Sequence, residues 1–214
     1  MLNGRFAVCL PYTLAQECPY PSDWSNPKNF SNNPHDPGGA TMCGITQKEY
    51  NAWRRRRDLP AQPVERISEV EGKQIYYDSY WMPESPQLPV GLDLCYFDTS
   101  VNQGSGEATR ILQRSLGVSS DGIIGPKTKA AIKAIPNVPF VIEAFTARRE
   151  EVYKETRGSK YFLTDWMRRA REIGAEAARA KVIQGHALSL YMKLKMHESL
   201  LGGEDNPNME EPTQ

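Results

Sequence analysis

The residues of this chain most able to do chemistry are two carboxylic acids near the N-terminus. Glu17 ends a segment with a helical pattern, and Asp36 opens a glycine-rich turn that also carries the hydroxyls of Thr41 and Thr46. Cleaving a glycosidic bond requires one carboxylic acid that protonates the leaving oxygen and a second group that handles water or the sugar cation. The combination predicts cleavage of a glycosidic bond, with Glu17 as the acid and Asp36 as the base.

The sequence around each acid suits its role. Phe6, Leu10 and Leu14 lie on the same helical face as Glu17, so we expect its carboxyl group to point inward, where apolar neighbours disfavour the ionised form. Asp36 lies in a loop whose backbone N–H groups can keep a carboxylate ionised. Each acid alone also has an ordinary structural explanation, as a solvated helix end or as a turn former.

A short opening helix and the loop after it must position these acids. Pro11 should kink this helix or mark its true start, and Pro19 should stop it at about Cys18. Residues 19–40 are rich in proline, asparagine, serine and glycine, which is typical of a loop with room for short strands. The loop should bring the glycine-rich turn to the helix end at Glu17.

Helical patterns account for most of the remaining chain. Ser68 begins one helix with a capping box that Glu71 completes. Gly174 and Gly185 should divide the last helical region, and the acidic tail from Gly202 onward should be disordered. The helices are expected over residues 46–57, 68–81, 92–101, 107–116, 126–135, 139–156 and 163–200.

The composition limits the class of protein. The chain has 214 residues, of which 39% are hydrophobic and 24% are charged, so a globular fold of one or two small domains is expected. Its 26 basic residues balance 26 acidic ones, which gives no support for a nucleic-acid partner. No run of about 18 apolar residues is present, and the N-terminal residues make a poor signal peptide. We therefore expect no stable membrane insertion and synthesis in the cytoplasm without a signal peptide.

The cysteines and histidines show no metal-binding spacing. Cys9, Cys18, Cys43 and Cys95 form no CxxC pair, and the histidines lie far apart without an HExxH pattern. This spacing predicts no metal and no cofactor. Reduced thiols are the expected state, although a bridge between Cys18 and Cys43, which both lie near the candidate site, is conceivable.

Six segments, in order along the chain, resemble a known family. Glu17 together with residues 36–46 resembles the N-terminal signature of glycoside hydrolase family 108, which comprises phage-type N-acetylmuramidases, many of them endolysins. Cys18 and Pro19 follow the acid where that family usually has two glycines, and residues 20–32 look like an insertion. Later segments of the family and of its accompanying peptidoglycan-binding module are similar to residues 75–81, 97–104, 112–128, 147–149 and 165–169.

The resemblance implies a fold and a division of the chain. The fold would be mainly α, a lysozyme-like α+β fold with a small loop- and strand-rich segment near the N-terminus and a helical C-terminal part. Residues 1–96 would form a lysozyme-like muramidase region. Residues 97–200 would form a helical peptidoglycan-binding-like region packed with the first, and residues 201–214 would be a disordered acidic tail.

The resemblance also implies a function. The catalytic acid of the family falls on Glu17, and Asp36 and Thr41 are its partners by analogy with related lysozymes. The substrate would be the peptidoglycan glycan strand, cut at the β-1,4 bond between N-acetylmuramic acid and N-acetylglucosamine by a monomer without a cofactor. It would act in the periplasm or from a phage-like particle. Candidate substrate-binding residues are Tyr20, Thr46, Asp98 and Asn102.

Two other functions remain open at this point. A lytic transglycosylase attacks the same bond with one glutamate, needs no carboxylate that activates water, and releases 1,6-anhydro sugars. A non-catalytic wall-binding or virion structural protein could retain the fold without activity. The unusual Cys18-Pro19 pair after the acid is the feature that makes this last function worth testing.

Overall fold

The computed structural model describes residues 4–32, 39–156 and 159–201, with side chains described up to residue 180. Asp36, with its neighbour His35, and the tail from Gly202 onward lie outside the described residues. The described helices are α1 Gly4–Glu17, α2 Gln47–Arg55, α3 Glu69–Tyr76, α4 Leu92–Gln103, α5 Ser105–Ser115, α6 Pro126–Lys133, α7 Val138–Glu155 and α8 Ser159–Leu201. The strands are β1 Phe30–Ser31, β2 Thr41–Met42 and β3 Ile45–Thr46. The prediction of a mainly α fold with a small strand-rich segment near the N-terminus is confirmed.

Helix α1 continues through its proline. Pro11 lies inside the helix, and its missing N–H leaves one helical hydrogen bond unmade. Phe6, Leu10 and Leu14 are all buried, whereas Pro11 faces outward. The prediction that Pro11 would mark the true start of the helix is wrong, because the buried stripe on the opposite face holds the helix on both sides of it.

The three strands form a small antiparallel sheet in the order β1-β2-β3. Met42 pairs with Ile45, so Cys43 and Gly44 make a two-residue hairpin loop with φ angles of 45° and 74°. A type I′ turn needs positive φ at both central residues, and its twist matches that of the flanking strands. The Cys43 N–H also donates a hydrogen bond to the Asn29 carbonyl, which ties the hairpin to the long loop before it.

Two helix starts follow from local chemistry. The Thr46 hydroxyl caps α2 by accepting a hydrogen bond from the Glu49 backbone N–H at 3.1 Å. Ser68 and Glu71 form the predicted capping box at the start of α3. Helix α3 passes directly into a π-helical turn, Tyr77–Trp81, so the helical segment expected to reach residue 81 does so in two forms.

Helix α4 is the centre of the core. Every residue from Leu92 to Ser100 is buried, and the helix contacts α1, α5, α7 and α8. A helix that is buried on all sides must satisfy its polar side chains internally. The boundary predicted between residues 96 and 97 falls inside this continuous helix, so the division into two regions stays a prediction.

Helix α8 runs from Ser159 to Leu201 without interruption, so the prediction that Gly174 and Gly185 would divide it is wrong. Gly174 is buried where α8 crosses α7, and a Cβ atom there would lie 2.5 Å from the Thr146 hydroxyl oxygen. The glycine is explained by this close approach of two helices, which the spacing of α8 alone does not reveal. None of the described helices combines the length and apolar character needed to cross a bilayer.

Replacing Gly174 by alanine should destabilise the fold, although the same substitution within a helix usually stabilises it. Alanine within a helix normally stabilises by about 0.5–1 kcal/mol relative to glycine. Here the added methyl group meets the stiff, β-branched Thr146, so we expect a net loss of roughly 1–3 kcal/mol in the free energy of unfolding. Urea denaturation measures this, with Gly106→Ala as the control, because its Cβ would meet nothing closer than 3.6 Å. Equal stability of the two variants would contradict the proposed contact.

Candidate active site

Glu17 lies at the C-terminal end of α1, and its side chain is 20% exposed. One carboxylate oxygen, Oε1, accepts a hydrogen bond from an Arg169 guanidinium nitrogen at 2.5 Å. The other, Oε2, lies so close to the hairpin loop that a Cβ atom on Gly44 would be 2.9 Å from it. The helix end therefore faces the glycine-containing turn, as the sequence predicted, but the carboxylate also has a cationic neighbour.

Gly44 is required for two independent reasons. Its φ of 74° is a conformation that side chains rarely adopt, and a Cβ there would also meet the Tyr76 hydroxyl at 3.1 Å. Tyr76 is buried and donates a hydrogen bond to the Cys43 carbonyl at 2.8 Å. Burial, and after it the negative charge of Glu17, raises the pKa of Tyr76 well above its usual value, so the hydroxyl remains a donor.

A disulfide bond joins the two sides of this arrangement. Cys18 follows Glu17 directly, Cys43 precedes Gly44, and their Cα atoms are 4.4 Å apart. The expectation of reduced thiols is wrong for this pair, which is explained by the helix end and the hairpin lying side by side. A bridge across 25 residues stabilises a fold by about 3.5 kcal/mol in the chain-entropy account. It also fixes the hairpin loop against the candidate acid.

The other two cysteines are free and buried. Burial raises the pKa of Cys95 to about 12 and that of Cys9 still further, with smaller contributions from neighbouring charges. Both thiols are therefore unreactive core groups.

Behind Glu17 lies a buried ion network centred on Asp98. Asp98 is fully buried in α4, and both its oxygens accept hydrogen bonds from Arg169, at 2.8 and 3.0 Å. Arg149 of α7 approaches the same carboxylate at 2.8 Å and is itself 1% exposed. Burial alone would raise the pKa of Asp98, but the charges and hydrogen bonds of the two arginines outweigh it and lower the pKa. We call Asp98, Arg149 and Arg169 the arginine network.

The arginine network changes the roles expected of two predicted residues. Asp98 was predicted to contact substrate, but it is fully enclosed and bound to two guanidinium groups. Asn102 accepts a hydrogen bond from the Tyr153 hydroxyl at 2.6 Å, and that hydroxyl accepts one from Arg149. In the described structure the enclosed Asp98 therefore serves the network, and the half-buried Asn102 is linked to it through Tyr153.

The sequence did not reveal the arginines. Arg169 is 71 residues from Asp98 and 152 from Glu17, so no local spacing connects them. The sequence did contain one indication of them, because an aspartate inside an apolar helix needs a cationic partner. That argument predicts a buried partner for Asp98 without identifying which of many arginines supplies it.

A second partly buried carboxyl group lies in the same neighbourhood and was also missed. Glu49 accepts a hydrogen bond from the Tyr80 hydroxyl at 2.9 Å. Burial raises the pKa of Glu49, and hydrogen bonds from Tyr80 and Ser79 partly oppose that rise. Burial also raises the pKa of Tyr80, as do the charges of Glu49 and Glu17, so Tyr80 lies within electrostatic range of both acids.

The structure brings together some of the other predicted residues. Thr41 and Thr46 are paired across β2 and β3, both half-buried, and the Thr46 hydroxyl is occupied in capping α2. Tyr20 is 38% exposed and its hydroxyl accepts a hydrogen bond from Lys28 at 3.3 Å. Trp24, an aromatic residue of the same loop, is buried against Gly72 and serves the core. No group of three or more potential metal ligands occurs among the described residues.

Replacing Asp98 by asparagine should destabilise the fold by about 3–5 kcal/mol, because it removes the negative charge that two buried guanidinium groups share. The pH dependence has a definite sign. A lowered pKa in the folded state gives stability that is complete above the ordinary carboxyl pKa of about 4 and is lost as the pH falls through the lowered value.

The free energy of unfolding, measured by urea at pH 7 and at several acid values, checks this prediction. The Asp98→Asn variant should lose less stability on acidification than wild type. Asp165→Asn is the matched control, because Asp165 is exposed. An Asp98→Asn protein as stable as the control would contradict the network.

Comparison with known proteins finds two matching families and a similar solved structure. Residues 25–104 match the family Glycosyl hydrolase 108, and residues 107–171 match the family Predicted Peptidoglycan domain. The structure of SagA from Brucella abortus is similar, with a TM-score of 0.69 and 28% identity over 83% of this chain and 95% of that one. No curated protein sequence matches the chain.

The two matches fall on the two sides of the arginine network, with Asp98 in the first region and both arginines in the second. The predicted resemblance is confirmed for residues 25–104 and 107–171, a span that does not include Glu17, and the lysozyme-like fold is confirmed. The chain is therefore a glycoside hydrolase acting on peptidoglycan, in which a region that matches glycosyl hydrolase 108 is followed by one that matches a predicted peptidoglycan domain.

Proposed function

We propose that this hydrolase is an endolysin-like N-acetylmuramidase, and that Glu17 is its general acid. The bond cut is the β-1,4 bond between N-acetylmuramic acid and N-acetylglucosamine. The observation that carries this proposal is the position of Glu17, partly exposed at a helix end and directly opposite the Gly44 turn. A glycan strand lying along the hairpin would present its bridging oxygen to Oε2, which accepts no hydrogen bond from the described residues.

Arg169 holds the Glu17 carboxyl group in one orientation through Oε1. Asp98 takes two hydrogen bonds from the same guanidinium group and also faces Arg149, so its single negative charge is shared between two arginines and Glu17 supplies the second negative charge. Arg169 thus acts as a positioning residue.

Asp36 is the proposed base, and Thr41 the proposed hydroxyl that orients the attacking water. Thr41 lies on β2, in the hairpin that carries the Gly44 turn. The resemblance favours a single-displacement, inverting course, which needs carboxyl groups about 6.5–9.5 Å apart rather than about 5–5.5 Å. Tyr20 and Thr46 remain the proposed substrate contacts, while Asp98 and Asn102 act indirectly, through the arginines.

We further propose that the enzyme works as a monomer and reaches the wall in the periplasm or from a phage-like particle. Size-exclusion chromatography with light scattering would test the monomer. Capture of the protein in purified particles would test the particle-borne route.

Replacing Glu17 by glutamine should lower the rate of peptidoglycan hydrolysis about 10²- to 10⁴-fold, because general acid catalysis contributes about that much. Mass spectrometry of digested peptidoglycan provides the measurement, and wild type should release reducing-end N-acetylmuramic acid. Glu151→Gln is the control, since Glu151 is exposed on α7. Anhydro products from wild type would identify a lytic transglycosylase, and equal inertness of wild type and variant would identify a non-catalytic wall-binding protein.

Replacing Asp36 by asparagine should lower the rate about 10²-fold or more if Asp36 activates water. Proton NMR of the first products should show the α-anomer, because inversion of a β bond gives that configuration. Full activity of the Asp36→Asn variant, or initial formation of the β-anomer, would remove Asp36 from the base role. Neither outcome would affect the assignment of Glu17.

A further inference from the structure

A pocket of about 230 Å³ lies where the two regions of the chain meet. One wall is the segment after the π-helical turn, including Met82 and Glu84. The opposite wall is formed by Gly106 at the start of α5 and by Gly122 and Ile123 in the turn before α6. We call this the junction pocket, because its walls come from both family-matched regions or from the residues between them.

Glu84, which lines the junction pocket, has an enclosed carboxylate oxygen without a donor. Glu84 Oε2 is buried and accepts no hydrogen bond from any residue in the described part of the chain. Burial raises the pKa of Glu84, and the positive charge of Lys129 opposes that rise. A buried acceptor that lacks a donor costs free energy, so it marks a place where a ligand can supply one.

Positive charge lies next to the opposite wall, on Arg110, which adjoins Gly122 and is not itself among the residues that line the pocket. The guanidinium group of Arg110 lies so close to Gly122 that a Cβ atom there would be 3.3 Å from it. Arg110 is exposed, and its ion pair with Glu107 is loose at 3.6 Å. Glu84 on one side of the pocket can therefore accept a hydrogen bond from a cationic group of a ligand. Arg110, beside the other wall, can reach an anionic group. Ile123, 68% exposed, adds an apolar surface at its edge.

Tyr80 connects the junction pocket to the candidate active site. Its side chain lines the pocket and donates a hydrogen bond to Glu49. Its ring also lies 5.9 Å from that of Tyr76, the residue that contacts the hairpin beside Glu17. A polymer bound at Glu17 could therefore place a branch in the junction pocket.

We propose that the junction pocket binds the stem peptide of peptidoglycan, with a free amino group of the peptide on Glu84 and a peptide carboxylate towards Arg110. The proposal rests on peptidoglycan being the substrate. The acetylated sugars of the glycan carry no amino group, whereas the diamino acid of the stem peptide supplies one, so charge complementarity selects the peptide over the sugar. The pocket would bind the peptide branch while Glu17 acts on the glycan strand.

The test uses one wall preparation in three forms: intact, with its free amino groups acetylated, and stripped of peptides by an amidase. Glu84→Gln should raise KM about tenfold on intact peptidoglycan, the loss of roughly one charge-assisted hydrogen bond. It should leave KM unchanged on the stripped glycan. Acetylation should raise KM for wild type and have no further effect on the Glu84→Gln variant. Glu151→Gln is the control and should behave as wild type on all three.

Binding is measured separately, so that failure of the muramidase assignment remains distinguishable. Isothermal titration of the wild-type protein with a soluble stem peptide should show binding that Glu84→Gln weakens about tenfold. Ile123→Glu should weaken it too, because it places an anion beside the site of the peptide carboxylate, and the exposed position tolerates the change. The proposal is overturned if neither variant alters peptide binding, or if Glu84→Gln raises KM equally on stripped glycan, which would indicate a sugar contact.

Discussion

The buried carboxylate of Asp98, held by two arginines, is the interaction on which the rest of the structure depends. Taking three charges out of water is costly, and such a group often adds little net stability compared with apolar packing. Its value here is geometric. It joins the central helix α4 to α7 and α8, and it leaves one arm of Arg169 in contact with Glu17. The orientation of the candidate acid therefore depends on a fully buried polar group in the core.

This dependence joins the two regions of the chain more closely than their family matches suggest. The peptidoglycan-domain region contributes both arginines, so it completes the surroundings of the acid as well as the core. Helix α4 lies in the first region but packs mainly against helices of the second. Separating the regions near residue 104 would leave Asp98 and Glu17 without their counter-charges, which explains why a boundary is hard to draw.

Much of the fold could be predicted from the sequence because it follows from interactions between neighbouring residues. Three features depend only on residues close to them in the sequence. They are the apolar stripe before Glu17, the capping box at Ser68 and the turn-forming glycine before β3. The failures are all long-range. Pro11 is tolerated because of the core on the far side of α1, and Gly174 is a contact point rather than a helix break because of Thr146. Arg169 and Glu49 could not be assigned to the site, since nothing in their immediate sequence refers to Glu17.

The acid at the end of α1 and the turn it faces belong to different elements, and the bond between Cys18 and Cys43 makes their alignment covalent. The rigidity of the Glu17 end of the molecule thus depends on the redox conditions of the solution as well as on the fold. In thiol reductant the hairpin loop keeps its Tyr76 and Asn29 hydrogen bonds and its pairing with β1, but loses its covalent link to the helix end. Two preparations of the same sequence can therefore differ in how firmly the hairpin faces Glu17, so the thiol content of each batch belongs beside its activity.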